Sequence, residues 1–367
     1  MRVLSFDIGT AHCVALEGNA RKGNVEVHRA VVADLPAENE TSGKTPVTTY
    51  AMDLAASIMR DARFKTKNAV VTVNINNLII RNFTLPNAPQ KHLNGMVRNE
   101  MINTYNAAPA DVLQYLKQPA QIITGETADQ PESREKGKNG KNGKKGKYKG
   151  ETGIRAVAVK REIIDIYWSF LRGLKLKPLA MDVHANAIEK LVIDGISINN
   201  ANMKGKVYML VDFGSSGTVT HVVADDRVYI SRYIPLGVSD LDQLVADRDF
   251  STAQEAKTFR TEKMDFLLDE EPQSAQMKAA RTFLYQWSDE VQKVTRFFLS
   301  RRGLNAIDFA YVYGAGSDIK GLPEYLSASM GIETSRLDAI SRVIFKDKSD
   351  QAKIRHCLNA AGAMIRL

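Results

Sequence analysis

The hydrophobic positions of this chain fall into short apolar runs closed by glycine-containing breaks, and one stretch shows the pattern most fully. Apolar residues dominate Val207–Val211, and Asp212-Phe213-Gly214-Ser215-Ser216-Gly217-Thr218 then interrupts them. A β-rich run follows at Val219–Ala224, Asp225-Asp226 makes a turn, and a third run occupies Val228–Ile234. This order predicts strand, glycine-rich loop, strand, turn, strand. The start of the chain repeats it, with Val3–Phe6, Asp7-Ile8-Gly9-Thr10, Val14–Glu17, a Lys22-Gly23-Asn24 turn and Val25–Val32. The two aspartates are 205 positions apart, too far for a local repeat. Two duplicated α/β domains facing one another are expected.

Between these meanders the periodicity alternates. Pro36–Pro46 is polar and turn-rich, Val47–Arg60 carries Met52, Ala55, Ala56 and Met59 at helical spacing, and Asn68–Ile75 and Asn77–Leu85 read as strands. The helix after Pro86-Asn87-Ala88-Pro89 sets Leu93, Met96, Val97 and Met101 on one face, which suits either core packing or an apolar groove. Val112–Leu116, Gln121–Ile123 and Ile154–Val159 look extended. Arg161–Leu171 is a helix, Pro178–Asp182 a strand, Ala185–Ile193 a helix, and the polar Asn199–Gly205 a domain boundary. Further helices are expected at Ser251–Phe259, with a Thr252/Glu255 capping box, at Leu284–Leu299 and at Ile354–Leu367. A third glycine cluster, Gly314-Ala315-Gly316-Ser317, follows the apolar run Asp308–Tyr313 and precedes a helix opened by Leu322-Pro323.

Composition changes this picture little. The 367 residues suffice for two domains with proper cores, and 25% charged and 44% hydrophobic residues are ordinary for a soluble protein. No apolar run approaches the ~18–20 residues that span a bilayer, and the chain enters its first strand at Val3 without a signal-peptide pattern. Cys13 and Cys357 show no metal spacing and read as buried thiols. The six histidines are scattered and read as structural or surface residues. The net charge of +8 sits almost wholly in Arg134–Gly150, whose seven lysines, one arginine and one glutamate give +7. A solvated connection is the first reading of that loop and attraction to an anionic membrane surface the second. Only Tyr148 could stack on a base there, so specific nucleic-acid recognition is not expected.

The duplicated loop carries the chemistry. Glycines and small hydroxyl residues let backbone N–H groups approach phosphate oxygens. A carboxylate at the strand end suits Mg²⁺, which takes one or two carboxylates and completes its shell with water and phosphate oxygens. One Asp-x-Gly-Thr alone is equally a strand ending in a turn. Two copies in matching meanders would clamp the phosphate tail of a nucleotide from both sides.

With the third glycine cluster, this order resembles the actin-like ATPase superfamily: two domains around a nucleotide cleft. The resemblance implies ATP and Mg²⁺ as cofactors, with Asp7 and Asp212 as the catalytic pair holding the hydrated cation. It assigns Gly9, Thr10 and Ala11 with Gly214, Ser215, Ser216, Gly217 and Thr218 to the phosphates. Gly314, Ala315, Gly316 and Ser317 fall to the adenosine, and Lys257 reaches the nucleotide or remains a solvated helix lysine. Ala315 departs from the usual middle glycine, and Gln254 stands where a glutamate is common.

Several longer stretches are similar to the PilM family of type IV pilus assembly. They are FTLPNAPQKHLNGMVRNEM (Phe83–Met101), Ala156–Ile188, Val207–Asp240 with its IPLGVSDL, FAYVYGAGSDIKGLPEYL and the final NAAGAMIRL. Asn106-Ala107-Ala108-Pro109 departs from that family's usual Ile-Pro-Phe-Pro. The resemblance implies domain I at 1–204 with an inserted subdomain at about 74–159, domain II at 205–340, and a return to domain I at 341–367. It implies a weak ATPase scaffold in the cytoplasm, peripheral at the inner face of the membrane. Its partner would be the N-terminal cytoplasmic peptide of a PilN-like membrane protein, lying in a groove between the first domain's core and the inserted subdomain. Phe83, Leu85, Met96 and Met101 are the candidate contacts, and self-association is a further partnership the resemblance allows. A filament ATPase of the FtsA or plasmid-segregation type is the alternative, ranked lower because the sequence ends directly after the Gly362-containing helix.

Overall fold

The structure is a computed structural model and describes residues 1–35, 49–73, 78–120, 123, 150–249, 252–267, 274–302 and 306–366. The expected polar loop at Pro36–Pro46, the break at Asn74–Asn77 and nearly all of the lysine-rich stretch lie outside the described residues. The chain divides into two compact units, one of residues 1–76, 166–299 and 305–367, the other of 77–165 with 300–304.

The larger unit opens with the antiparallel meander β1 (Arg2–Ile8), β2 (His12–Arg21) and β3 (Asn24–Asp34), then helix α1 (Thr49–Asp61) and β4 (Asn68–Val73), which runs parallel to β1. Gly18 is required at the bulge in β2, because a Cβ there would lie 2.3 Å from the Glu26 carbonyl oxygen.

The smaller unit comprises β5 (Leu78–Pro86), helix α2 (Gln90–Asn103), β6 (Val112–Gln118) and β7 (Glu151–Val159), with β7 between β5 and β6 and all pairs antiparallel. Phe83, Leu85, Ile154, Ala156 and Ala158 share one face of this sheet, and Leu93, Val97 and Met101 of α2 close over them. The stripe read from the sequence is therefore mainly this unit's own core. Ile123 was expected to be extended with Gln121 and Ile122; it is helical, and the other two lie outside the described residues.

The chain continues through α3 (Arg161–Gly173), β8 (Lys177–Val183), α4 (His184–Val192) and a small hairpin, β9 (Ser197–Ile198) with β10 (Ala201–Asn202). The side chain of Asn199 holds this polar stretch in place: it accepts from the Asp338 and Ala339 amides and donates to the Arg336 carbonyl at 2.6–3.0 Å. A second meander follows, β11 (Tyr208–Phe213), β12 (Thr218–Ala224) and β13 (Arg227–Ile234), then α5 (Val238–Asp249), α6 (Ala253–Glu262) and the long α7 (Ala275–Arg302). The Thr252/Glu255 capping box forms as the sequence indicates. Next come β14 (Phe309–Tyr313), α8 (Leu322–Met330), β15 (Thr334–Arg336), β16 (Val343–Phe345), a 3₁₀ turn at Lys348–Lys353 and α9 (Ile354–Met364).

Two sheets result, ordered β16-β3-β2-β1-β4-β8 and β13-β12-β11-β14-β15. Their duplication holds at the level of register. Asp7 pairs with Val14 on the antiparallel side and Thr72 on the parallel side; Asp212 pairs with Val219 and Tyr313 in the same way. Each aspartate thus ends a central strand, seven positions before its antiparallel partner. These strands are buried along almost their whole length, as strands covered on both faces must be.

Helices α4 and α9 complete the core, and one apolar cluster runs through both sheets and both helices. The small residues Ala360-Ala361-Gly362-Ala363 let α9 meet α4 backbone to backbone: a Cβ on Gly362 would lie 2.2 Å from the Ala187 carbonyl oxygen. On the second sheet, Trp287 of α7 stacks on Phe213, their ring centroids 4.3 Å apart. Cys13 and Cys357 are buried free thiols, and burial, with the charge of Asp7, pushes Cys13 up to about 12. No helix among the described residues is long and apolar enough to cross a membrane.

Candidate functional site

A cleft with about 710 Å³ of space free of protein atoms opens where the ends of β1 and β11 come together within the larger unit. Of the residues expected at a nucleotide site, it gathers Asp7, Gly9, Thr10, Ala11, Asp212, Gly214, Ser215, Ser216, Gly217, Gly314 and Ala315.

The second loop shows how the backbone is aimed. The carbonyls of Gly214 and Ser215 accept from the Val238 and Ser239 amides at 3.0 Å, and that of Ser216 accepts from the Tyr233 hydroxyl at 2.9 Å. A trans peptide plane points its N–H opposite to its C=O. The amide hydrogens of Ser215, Ser216 and Gly217 are consequently directed away from this anchor. Ser215 and Ser239 also bond through their hydroxyls at 2.6 Å. Close approach depends on glycine: a Cβ on Gly237 would lie 1.9 Å from the Ser215 carbonyl oxygen, and one on Gly217 2.4 Å from the Tyr233 hydroxyl.

The third loop braces the second. Gly314 has φ +87°, and a Cβ there would sit 2.4 Å from Asp212 Oδ1. Gly316 donates its amide to the Phe213 carbonyl at 2.9 Å, with its Cα against the Phe213 ring.

Four expected site residues do not line the cleft. Thr218 turns inward, donating to the Leu236 carbonyl at 2.8 Å and accepting from Trp287 Nε1 at 2.7 Å. Ser317 is buried, its hydroxyl donating to the Gly314 carbonyl at 2.7 Å. Gly316 lies behind the loop. Lys257 pairs with Asp34 at 2.8 Å, and Asp34 also meets His12 Nε2 at 3.2 Å. In the smaller unit, Phe83, Leu85 and Met101 are buried in the core and only Met96 keeps partial exposure, so three of the four proposed peptide contacts present little surface.

Sequence reading missed part of the cleft's wall: His12, His184, Tyr233, Tyr313, Arg355, His356 and Asn359 also line it. Three of the six histidines thus converge there, where the scattered spacing suggested surface or structural roles. His184, the first residue of α4, places Nε2 3.1 Å from Asp7 Oδ1, and Thr72 donates to the same oxygen at 2.5 Å. Burial alone would raise the Asp7 carboxyl, but the His184 charge and hydrogen bonds from His184, Thr72 and Asn359 outweigh it and lower its pKa. Asp212 behaves oppositely: burial, opposed by His184 and reinforced by Asp7, raises it to about 6. Burial holds His356 near 4, so it is neutral at physiological pH.

Three buried polar atoms on the cleft lining have no hydrogen-bond partner: His184 Nδ1, Tyr313 Oη and Asn359 Oδ1. Buried polar groups are rarely left unpaired, and these three lie in residues around the cleft. Two carboxylates beside a cradle of glycine amides suit a hydrated divalent cation next to phosphate oxygens. No cluster of three or more His, Cys, Asp or Glu able to hold a bare metal occurs among the described residues.

Two meanders repeated in register around one cleft define the actin-like ATPase fold, and solved structures agree. The chain is similar to a PilM–PilN type IV pilus biogenesis complex (16% identity, 99% of this chain and 98% of that chain, TM-score 0.75). It is also similar to the ethanolamine utilization protein EutJ from Carboxydothermus hydrogenoformans (13%, 99% and 89%, 0.52). MreB 5 of Spiroplasma citri bound to AMPPNP shares the fold as well (9%, 98% and 94%, 0.51). A family model described as type IV pilus assembly protein PilM matches residues 143–364, more than half of the sequence, and the chain belongs to that family. No curated protein matches it significantly.

Proposed function

We propose that this PilM-family chain is an ATP-binding scaffold of the type IV pilus assembly platform, in which nucleotide holds the two sheets' lobes together and a partner peptide reads the result. The register-matched pair Asp7 and Asp212, facing one cleft from duplicated meanders, carries this reading. Asp7 and Asp212 would hold a hydrated Mg²⁺ through its water. The Gly9–Ala11 and Gly214–Gly217 backbones would take the phosphates, and Ala315 would border the nucleoside. Mg²⁺, when bound, supplies charge neutralisation at the phosphate oxygens. Lys257, paired with Asp34, would serve as a tether at the cleft rather than as a nucleotide contact. Weak hydrolysis accords with this arrangement, because binding and gating need a cradle and a hinge, whereas fast turnover also needs an oriented nucleophile. Calorimetry with ATP and Mg²⁺ tests the site. Asp212→Ala should weaken Mg²⁺-dependent binding about 10- to 100-fold while the fold persists. Equal affinity in the two proteins would refute the assignment.

The partner is proposed to be the short cytoplasmic N-terminal peptide of a PilN-like membrane protein, which would place the chain at the inner face of the cytoplasmic membrane. Support comes from the family and from the whole-chain likeness to a structure described as a PilM–PilN complex. With Phe83, Leu85 and Met101 buried, anchoring would fall to Met96 and the exposed flank of α2. A labelled peptide of this kind should bind saturably, more tightly with ATP and Mg²⁺ present than without. Binding unaffected by nucleotide would leave the scaffold without its gate.

A further inference from the structure

Two short segments of the larger unit put seven exposed cations side by side. Residues 60–67 close α1 and lead into β4, with Arg60, Arg63, Lys65 and Lys67 exposed. Residues 172–177 join α3 to β8, with Arg172, Lys175 and Lys177 exposed. The Lys177 amide donates to the Lys67 carbonyl at 2.7 Å, and Asn68 pairs with Lys177 where β4 runs beside β8. None of the seven side chains has an ion-pair partner among the described residues. Asp61 is the one acid within the segments and accepts from the Ser57 hydroxyl at 3.1 Å. Glu17, close by, is buried with its carboxylate on the Lys65 and Thr66 amides, 2.5 and 2.9 Å away. Seven cations against one acid give a net +6; with the +7 of the lysine-rich stretch also set aside, the rest of a chain of net +8 is at −5.

Helix chemistry accounts for two of the seven. Arg60 and Arg172 stand in the last turns of α1 and α3, where a cation suits the negative end of the dipole. Arg63 and Lys175 have φ of +48° and +57°, where glycine, asparagine or aspartate would cost less. Of the nine non-glycine residues at positive φ among the described residues, six are Asn or Asp; the other three are cations, and two of those sit here. Charge is kept at this face against backbone preference. Thr66, its only hydroxyl, is already occupied, donating to the Arg2 carbonyl at 3.1 Å and accepting from the Asn68 amide at 3.2 Å. Long cationic side chains with no free uncharged polar group to read a base or a side chain suit a fluid layer of anionic headgroups. The face also lies away from the cleft. Asp7 pairs with Thr72 of the parallel strand β4, and Lys67 stands five residues earlier, about 16 Å back along that strand.

We infer that this face is a docking surface for a membrane rich in anionic phospholipid, which meets headgroup phosphates with its cations and leaves the nucleotide cleft free. The inference stands apart from the nucleotide and peptide readings above, since it uses no residue of either.

The experiment is co-sedimentation of the full chain with vesicles of phosphatidylglycerol and phosphatidylcholine in equal parts, and with phosphatidylcholine alone. Wild type should bind the first and not the second, and added salt should weaken that binding. A cation at an anionic surface changes affinity on the order of fivefold. The quadruple variant Lys65→Gln, Lys67→Gln, Lys175→Gln and Lys177→Gln should therefore bind at least about tenfold more weakly, even with the lysine-rich stretch still present. Changing four exposed lysines outside the face, Lys204, Lys206, Lys278 and Lys348, to glutamine should leave affinity within about twofold of wild type. Arg63→Gly with Lys175→Gly removes two charges and relieves the backbone, so this double variant should melt no lower than wild type yet bind about tenfold more weakly. Equal losses in the two quadruple variants would show that net charge alone matters and would overturn the inference. So would wild-type affinity in the face variants, or wild type indifferent to phosphatidylglycerol. Binding to an acidic polypeptide or to duplex DNA that depends on the four face lysines, where vesicle binding does not, would assign the face to another partner and overturn it as well.

Discussion

Asp212→Asn is expected to make the ligand-free protein more stable at pH 8 while weakening the proposed Mg²⁺-dependent binding of ATP about 10- to 100-fold. The Asp212 carboxyl rises from an ordinary value of 3.8 to about 6, first because it is buried and then because Asp7 is near, with His184 and Asn359 opposing. A carboxyl raised in this way binds a proton on folding. Its contribution to stability is full below its unfolded value and is lost as pH rises through about 6. His184 is raised as well: burial opposes this, but the charge of Asp7 prevails, so its contribution also declines as pH rises. Asp7, lowered, runs the other way and matters only in acid. A shift of two pH units corresponds to about 3 kcal/mol. Asp212 keeps some access to solvent, so about 1–2 kcal/mol is the realistic gain, or a melting temperature about 2–4 °C higher. Near pH 4 the two proteins should melt within about a degree of each other. Thermal melts across this range give the answer, and a variant less stable than wild type at pH 8 would contradict it.

Gly362→Val should be the most damaging single change in the larger unit. Its Cβ would fall 2.2 Å from the Ala187 carbonyl oxygen and 2.6 Å from its carbon, both backbone atoms that cannot move aside independently. Helices α4 and α9 would have to separate, opening the cluster that joins the two sheets. The cost should exceed about 4 kcal/mol, in the range reserved for major core disruption. Gly331→Ala is the control. That glycine has φ +66° but nothing within 4 Å of its Cβ position, so only backbone strain is expected, on the order of 1 kcal/mol. Chemical denaturation of both variants checks the contrast, and equal midpoints would mean the helices can part cheaply.

What the sequence made legible was whatever local pattern encodes. The meanders at Asp7 and Asp212 could be read because apolar strands stop abruptly at glycine-rich breaks, and the same break recurs in two matching meanders. The helix expected at Leu284–Leu299 likewise formed, with Trp287, Val291, Val294 and Phe298 on the buried face of α7. Residues that depend on distant partners were not legible. His184 sits 177 positions from Asp7 and Asn359 147 from Asp212, and nothing in their own neighbourhoods distinguishes them from ordinary helix residues. Thr218 and Ser317 failed to reach the cleft for a related reason: a hydroxyl in a glycine loop can face ligand or backbone with equal ease, and here both satisfy carbonyls. The stripe on α2 shows the limit of helical periodicity, which identifies an apolar face without saying whether the chain itself covers it.

The register-matched aspartates also bear on how affinity is distributed. In the proposed site each lobe would supply one carboxylate and one glycine loop, so neither half alone would offer more than a weak site. A ligand held by both behaves as a chelate, and its second attachment is governed by the effective concentration that the α4–α9 pair imposes on the two loops. Affinity should then respond to the stiffness of that helical joint as strongly as to any group touching the ligand. Substitutions along the joint, far from the phosphates, would act as a dial on nucleotide residence time.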